Sequence, residues 1–156
     1  MNENEIKIKV LEENEKMHDL YAKDHTRSVP YQHRKATRTY IWKLILRELK
    51  NVNVEIKNSN ILEVACGTGT FVKLAEKYNA NYYGIDISSN MIDIAKNNNK
   101  YKNASFEKIS LEEFYMKHPK EYDIIISSSF LHHLYDMEEG LIQICSMLKY
   151  NGVYIA

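Results

Sequence analysis

The segment that most restricts this chain is Ile61-Leu-Glu-Val-Ala-Cys-Gly-Thr-Gly-Thr70, followed by Gly84-Ile-Asp-Ile-Ser88. A short apolar run opens into a loop of small residues, and a helical pattern follows at once. Gly67 and Gly69 carry no Cβ and accept backbone conformations closed to other residues, so the chain there can lie close against a ligand. About twenty residues later a second strand pattern ends in the carboxylate of Asp86. An acid at that place suits the two hydroxyls of a ribose. The pattern implies a nucleoside-containing ligand. A dinucleotide loop of the form G-x-G-x-x-G does not fit, because Ala65-Cys-Gly-Thr-Gly-Thr-Phe-Val72 has no third glycine. Glu63, inside the strand end, would also repel a pyrophosphate and welcome an ammonium.

From Asn60 onward the hydrophobic period alternates between that of a strand and that of a helix. Ile61–Ala65, Tyr82–Ile87, Ala104–Lys108 and Tyr122–Ser127 read as strands, with a fifth beginning at Val153–Ala156. Thr70–Tyr78, a run from Ser89 to about Asn98, Leu111–Lys117 and Met137–Leu148 read as helices. Ser88 or Ser89 is placed to cap the second, and Asn151-Gly152 ends the last. Such alternation predicts an α/β fold, a Rossmann-like doubly wound parallel sheet of about five strands. In open sheets of this kind a ligand sits beyond the carboxyl ends of the strands, where the strand order reverses. Glu63, Asp86, Ser110 and Ser127 all fall at or just after strand ends.

Residues 1–50 differ in character: highly charged and tyrosine-bearing, with one amphipathic helix whose apolar positions are Tyr40, Ile41, Leu44, Ile45 and Leu49. They are read as an N-terminal helical lid or extension on a core spanning residues 51–156, one domain overall. With 156 residues the chain can bury a sizeable core. Twenty-one acids balance 21 bases, so no global charge draws it to DNA or to a membrane surface. No apolar run approaches the roughly 20 residues of a membrane span. Cys66 and Cys145 fall in different elements and form no disulfide framework, which fits a reducing cytosol. The opening Met1-Asn-Glu-Asn-Glu-Ile does not read as a signal peptide, and the expected location is cytoplasmic.

The two opening motifs resemble those of class I S-adenosylmethionine (SAM)-dependent methyltransferases, over roughly residues 60–156. The resemblance implies that Glu63 accepts a hydrogen bond from the cofactor's amine and that Gly67 and Gly69 let backbone run beside its methionine and ribose parts. It also implies that Asp86 holds the ribose, and that Ile87 and Met91 flank the adenine. Ala65 stands where the family most often has glycine, and its methyl group is a small intrusion. Phe106-Glu-Lys-Ile-Ser-Leu-Glu-Glu-Phe114 resembles the third motif, where Ser110 takes the place of an acid or amide and Leu111 lies beside it. Asp123-Ile-Ile-Ile-Ser-Ser-Ser-Phe-Leu-His-His-Leu134 resembles the fourth motif of small-molecule enzymes, with Ser127 at the strand end. His132 and His133 are its candidate catalytic bases. At most one is expected to face the site, and His132 is favoured because it aligns with the site-facing histidine of glycine-type N-methyltransferases. The competing reading has one of them packing beneath the loop with no proton transfer.

Other chemistries are excluded. Amino-methylating enzymes acting on nucleic-acid bases carry an Asn/Asp-Pro-Pro-Tyr/Phe loop here, and this chain reads Ser127-Ser-Ser-Phe130. Neither cysteine follows a proline, as cytosine C5 chemistry needs. The His132-His133 pair is not a metal-ligand spacing. A distant likeness to the glycine-type enzymes, carried by residues 18–42, points to Tyr31 and Arg38 as further cofactor contacts. A solvated basic face explains them equally well. Leu148-Lys-Tyr-Asn-Gly-Val-Tyr-Ile-Ala156 resembles the turn into the family's fifth strand, and the usual C-terminal antiparallel hairpin is lacking. An incomplete sheet edge of that kind is expected to self-associate. The implied function is SAM-dependent methyl transfer to N or O of a small-molecule acceptor. The alternatives are a non-catalytic SAM-binding partner or regulatory module, and an RNA methyltransferase.

Overall fold

The apolar runs pair into one parallel sheet, and its order decides where a ligand can bind. The computed structural model describes residues 2–24 and 35–156. The strands are β1 (Asn60–Val64), β2 (Asn81–Asp86), β3 (Ala104–Lys108), β4 (Tyr122–Ser127) and β5 (Leu148–Ile155). Their order is β3-β2-β1-β4-β5, every neighbouring pair parallel. The order reverses between β1 and β4, so the crevice opens beyond the ends of the central strands.

The helices are α1 (Glu3–Asp24), α2 (Lys35–Asn51), α3 (Val72–Lys77), α4 (Ser89–Asn98), α5 (Leu111–Phe114) and α6 (Met137–Met147). Period-two alternation sends Ile61 of β1, with Ile124 and Ile126 of β4, to one face of the sheet. There they meet Ile45 and Leu49 of α2 and Val72, Leu74 and Ala75 of α3. Leu62, Val64 and Ile125 go to the other face, against Leu111 and Phe114 of α5 and Ile144 and Met147 of α6. Burial on both faces explains why these strands read as unbroken apolar runs.

Four expectations need correction. The fifth strand begins at Leu148 rather than Val153, because α6 stops at Met147 and the chain turns directly into the sheet. Asn151-Gly152 lies inside β5 as an irregularity: Tyr122 pairs with Leu148, but Ile124 pairs with Val153. Asn151 takes a positive φ of 65° there. The expected helix Leu111–Lys117 divides into α5 and a 3₁₀ turn over Tyr115–Lys117. Among the described residues, the N-terminal region holds two helices instead of one. The helix built on Ile41, Leu44, Ile45 and Leu49 is α2, and α1 is additional.

Helix α1 crosses the carboxyl ends of the strands and is tied down on several elements. Lys7 pairs with Glu139 of α6 at 2.5 Å, and Glu15 with Lys108 of β3 at 3.0 Å. Asp19 accepts from the Ser88 hydroxyl at 2.5 Å, beside the N-terminus of α4, where negative charge is favourable.

Candidate active site

A cavity of about 420 Å³ lies under α1 at the ends of β1, β2 and β4. Its floor is the loop that leaves β1, including Ala65, Cys66 and Gly67, with Glu63 behind it. Asp86, Ile87 and Met91 form one side. Ile109, Leu111 and Glu112 form a second, and Ser128, Ser129, Phe130 and His133 a third. The two central strands both end in strained backbone: Ala65 follows β1 with φ 53° and Ser129 comes two residues after β4 with φ 56°. Non-glycine residues held in the left-handed region concentrate at ligand sites.

The two acids hold the loop from opposite ends. Asp86 is buried, and its Oδ2 accepts from the Gly67 amide at 2.8 Å while Oδ1 accepts from the Ser88 amide at 2.9 Å. Burial pushes its pKa upward, making the carboxyl a weaker acid, and these two amides oppose the shift. Each carboxylate oxygen has two lone pairs, so Asp86 keeps capacity for hydroxyl donors. Gly67 sits at φ 51°, and a Cβ built there would meet nothing within 4 Å, so its backbone faces open space.

Glu63 is 2% exposed. Its Oε2 accepts from the Phe71 amide at 3.1 Å and from the Tyr82 hydroxyl, and the Thr70 amide also supports it. Burial pushes its carboxyl up to about 8, against the pull of these donors. A carboxylate at that cost marks a place where a cationic group can be received. Burial also pushes the Cys66 thiol well up, so it stays protonated and packs as a small apolar group.

The structure thus gathers Glu63, Ala65, Gly67, Asp86, Ile87, Met91 and Leu111 around one cavity, together with His133. It places the others elsewhere. Gly69, at φ 81°, packs toward Asn99, Phe106 and Val72 instead. Ser110 caps α5, accepting from the Glu113 amide at 3.2 Å, and its neighbour Glu112 supplies a polar group to the wall. Ser127 is buried beneath the loop and shares a 2.7 Å hydrogen bond with the Tyr154 hydroxyl. Arg38 belongs to α2 and is absent from the walls; Tyr31 lies outside the described residues.

The preference between the histidines reverses. Both lie in a 3₁₀ turn over Leu131–His133 with their rings in contact; His132 is exposed and His133 lines the cavity. Burial lowers the affinity of His133 for a proton, as do the neighbouring rings of His132 and His18. Sequence reasoning missed the α1 wall: Lys7, Val10, Leu11, Asn14, His18 and Tyr21. Their spacing is helical, but half of that face is polar, so it gives little hydrophobic signal.

A family model described as a methyltransferase domain matches residues 55–156. A ubiquinone biosynthesis O-methyltransferase of Pelagibacter ubique is 26% identical over 117 residues, covering 73% of this chain and 48% of that protein. Among solved structures, an S-adenosylmethionine-dependent methyltransferase from Mesorhizobium loti superposes with a TM-score of 0.59. It has 22% identity and covers 69% of this chain and 49% of that one. DhpI, in a complex with SAM and HEP, superposes with a TM-score of 0.68 at 23% identity, covering 93% of this chain and 64% of its own. The chain spans about half the length of the curated relatives it matches.

Proposed function

The chain belongs to the methyltransferase domain family, whose cofactor is S-adenosylmethionine, and we propose that its cavity passes a methyl group to N or O of a small-molecule acceptor. The observation that carries this reading is the pair of buried acids at the ends of β1 and β2, bracketing one glycine loop that opens on the cavity. Glu63 would receive the cofactor's ammonium, Asp86 its ribose hydroxyls, and Ile87, Met91 and Leu111 the faces of its adenine. When bound, the cofactor supplies an electrophilic methyl on sulfur. The protein's share of such an in-line displacement is to align the acceptor and exclude water. Helix α1 supports the second task, since it lies over the cavity as a lid would. His133, neutral near pH 7 and on the wall, is the residue to take a proton from an acceptor that must lose one.

The test is direct. The 156-residue chain should bind S-adenosylhomocysteine by calorimetry and transfer a radiolabelled methyl to a member of a panel of small amines, phenols and RNAs. No binding would overturn the reading. Binding with no transfer to any acceptor would favour a non-catalytic SAM-binding module, and transfer to RNA alone an RNA enzyme.

Location and assembly belong to the same proposal. No described helix is long and apolar enough to cross a membrane, and both cysteines are free, which supports a cytoplasmic setting. Among the described residues β5 has β4 as its only strand neighbour, which supports edge-to-edge association of chains of this length. Light scattering should then show mass rising with concentration; a monomer at every concentration would count against it.

A further inference from the structure

Asn14 of α1 meets His133 twice. Its Nδ2 donates to the His133 carbonyl oxygen at 3.1 Å, and its Oδ1 lies 3.2 Å from the ring Nδ1. A carboxamide has one donor end and one acceptor end. With Nδ2 committed to a carbonyl, Oδ1 can only accept, so the hydrogen of that contact sits on Nδ1. Turning the amide over would set two oxygens against each other at the His133 carbonyl, which rules that orientation out. The arrangement therefore fixes the tautomer, and in a neutral ring it leaves the lone pair on Nε2.

We propose that Asn14 is a positioning residue that holds His133 as the Nδ1–H tautomer, making Nε2 the atom that accepts the acceptor's proton. This rests on the reading of His133 as a base. Because Asn14 lies on α1, the base is assembled only while α1 is seated on the Leu131–His133 turn. The logic is that of a base oriented by a third group, here from an element that also closes the cavity. The titratable rings against His133 are His18 of α1, edge-on with centroids 5.0 Å apart, and His132 of its own turn at 4.0 Å. Asp86 and Glu63 share the cavity, Lys7 is paired with Glu139, and Tyr21, Cys66, Glu112 and Tyr135 complete its ionisable lining.

Imidazole ¹⁵N resonances of the whole chain, assigned through a His133→Gln spectrum, read the tautomer without any activity. Wild type should show His133 with Nδ1 protonated and Nε2 bare. Asn14→Ala should shift the ring toward the Nε2–H form. Asn14→Asp loses the donor to the His133 carbonyl but keeps an acceptor for Nδ1–H, and should retain the tautomer while raising the proton affinity of the ring. An Nε2–H ring in wild type, or a ring unmoved by Asn14→Ala, overturns the tautomer assignment. Where turnover is measured, Asn14→Ala should lower kcat up to about 100-fold with little change in KM for the cofactor, and Asn14→Asp should restore most of it. A correct tautomer with unchanged turnover in His133→Gln overturns the base reading and leaves Asn14 a purely structural clamp.

Discussion

Glu63 shows how one side chain can make binding depend on pH. Its folded affinity for a proton, near 8, stands above the ordinary carboxylate range, so the folded chain holds a proton that the unfolded chain releases. Stability of the free protein should therefore fall as pH rises from the carboxylate range toward 8. Binding of a cationic cofactor runs the other way, because it selects the ionised carboxylate. Affinity for S-adenosylhomocysteine should rise up to roughly tenfold per pH unit below 8 and level off there, and Glu63→Gln should flatten the profile. Tyr82→Phe removes a donor that favours the charged form, and should move the inflection upward. Wild-type affinity that ignores pH between 6 and 8 would remove Glu63 from the ligand. Asp86→Ala removes the acceptor proposed for two ribose hydroxyls. Since a charged hydrogen bond contributes about 1.5–3 kcal/mol, affinity should drop roughly tenfold or more. Calorimetry showing no loss would refute that assignment. Both acids were legible in sequence because each interrupts an apolar run near a strand end. Their grip on the Gly67, Thr70 and Phe71 amides was not, since spacing says nothing of how a loop folds back.

At the scale of elements, the β1–β2 register explains why Gly84 is glycine. Gly84 stands opposite Glu63, and Tyr82, two residues earlier on the same face, extends through the space a side chain at 84 would fill. A Cβ there would come within 2.9 Å of the Cys66 sulfur and 3.0 Å of both the Tyr82 hydroxyl and Phe106. Gly84→Ala should cost about 1–3 kcal/mol in denaturant melts and displace the Tyr82 hydroxyl from Glu63, with a matching loss of cofactor affinity. A variant as stable and as tight-binding as wild type would show that the neighbours yield freely. Strands β1 to β4 were readable to within a residue: β1, β2 and β4 carry buried apolar blocks, and the edge strand β3 lies between the turn at Asn103 and the cap at Ser110. The start of β5 was not, since Leu148-Lys-Tyr-Asn-Gly reads equally well as a helix end. Ser110 and Ser127 lie off the cavity walls, and spacing could not foresee it: a strand-end position does not say whether a hydroxyl turns to a ligand, a helix amide or a neighbouring strand.

For the whole molecule, the question is how firmly α1 holds the cavity shut. Its ties to the core are mostly polar: the Lys7–Glu139 and Lys108–Glu15 pairs, the Asn14–His133 clamp and the Asp19–Ser88 bond. Partly exposed ion pairs contribute little to stability and weaken with salt, whereas the sheet is held by buried Ile, Leu and Val on both faces. If α1 acts as the proposed lid, it should open at a lower free energy than the sheet. Its amides should exchange with deuterium well before those of β1 and β4, and faster still in 1 M salt. A ligand held beneath α1 has to leave, or be exposed, whenever α1 lifts. S-adenosylhomocysteine at one hundred times its dissociation constant should then slow exchange in α1 by up to about 100-fold. Asp19→Ala, which removes the bond to Ser88 while leaving Glu63 and Asp86 intact, should speed exchange in α1 and shorten ligand residence without altering the pH profile set by Glu63. If ligand instead slows only the loop after β1 and leaves α1 unchanged, the cofactor sits below a helix that never gates it. The cavity would then be entered from another side.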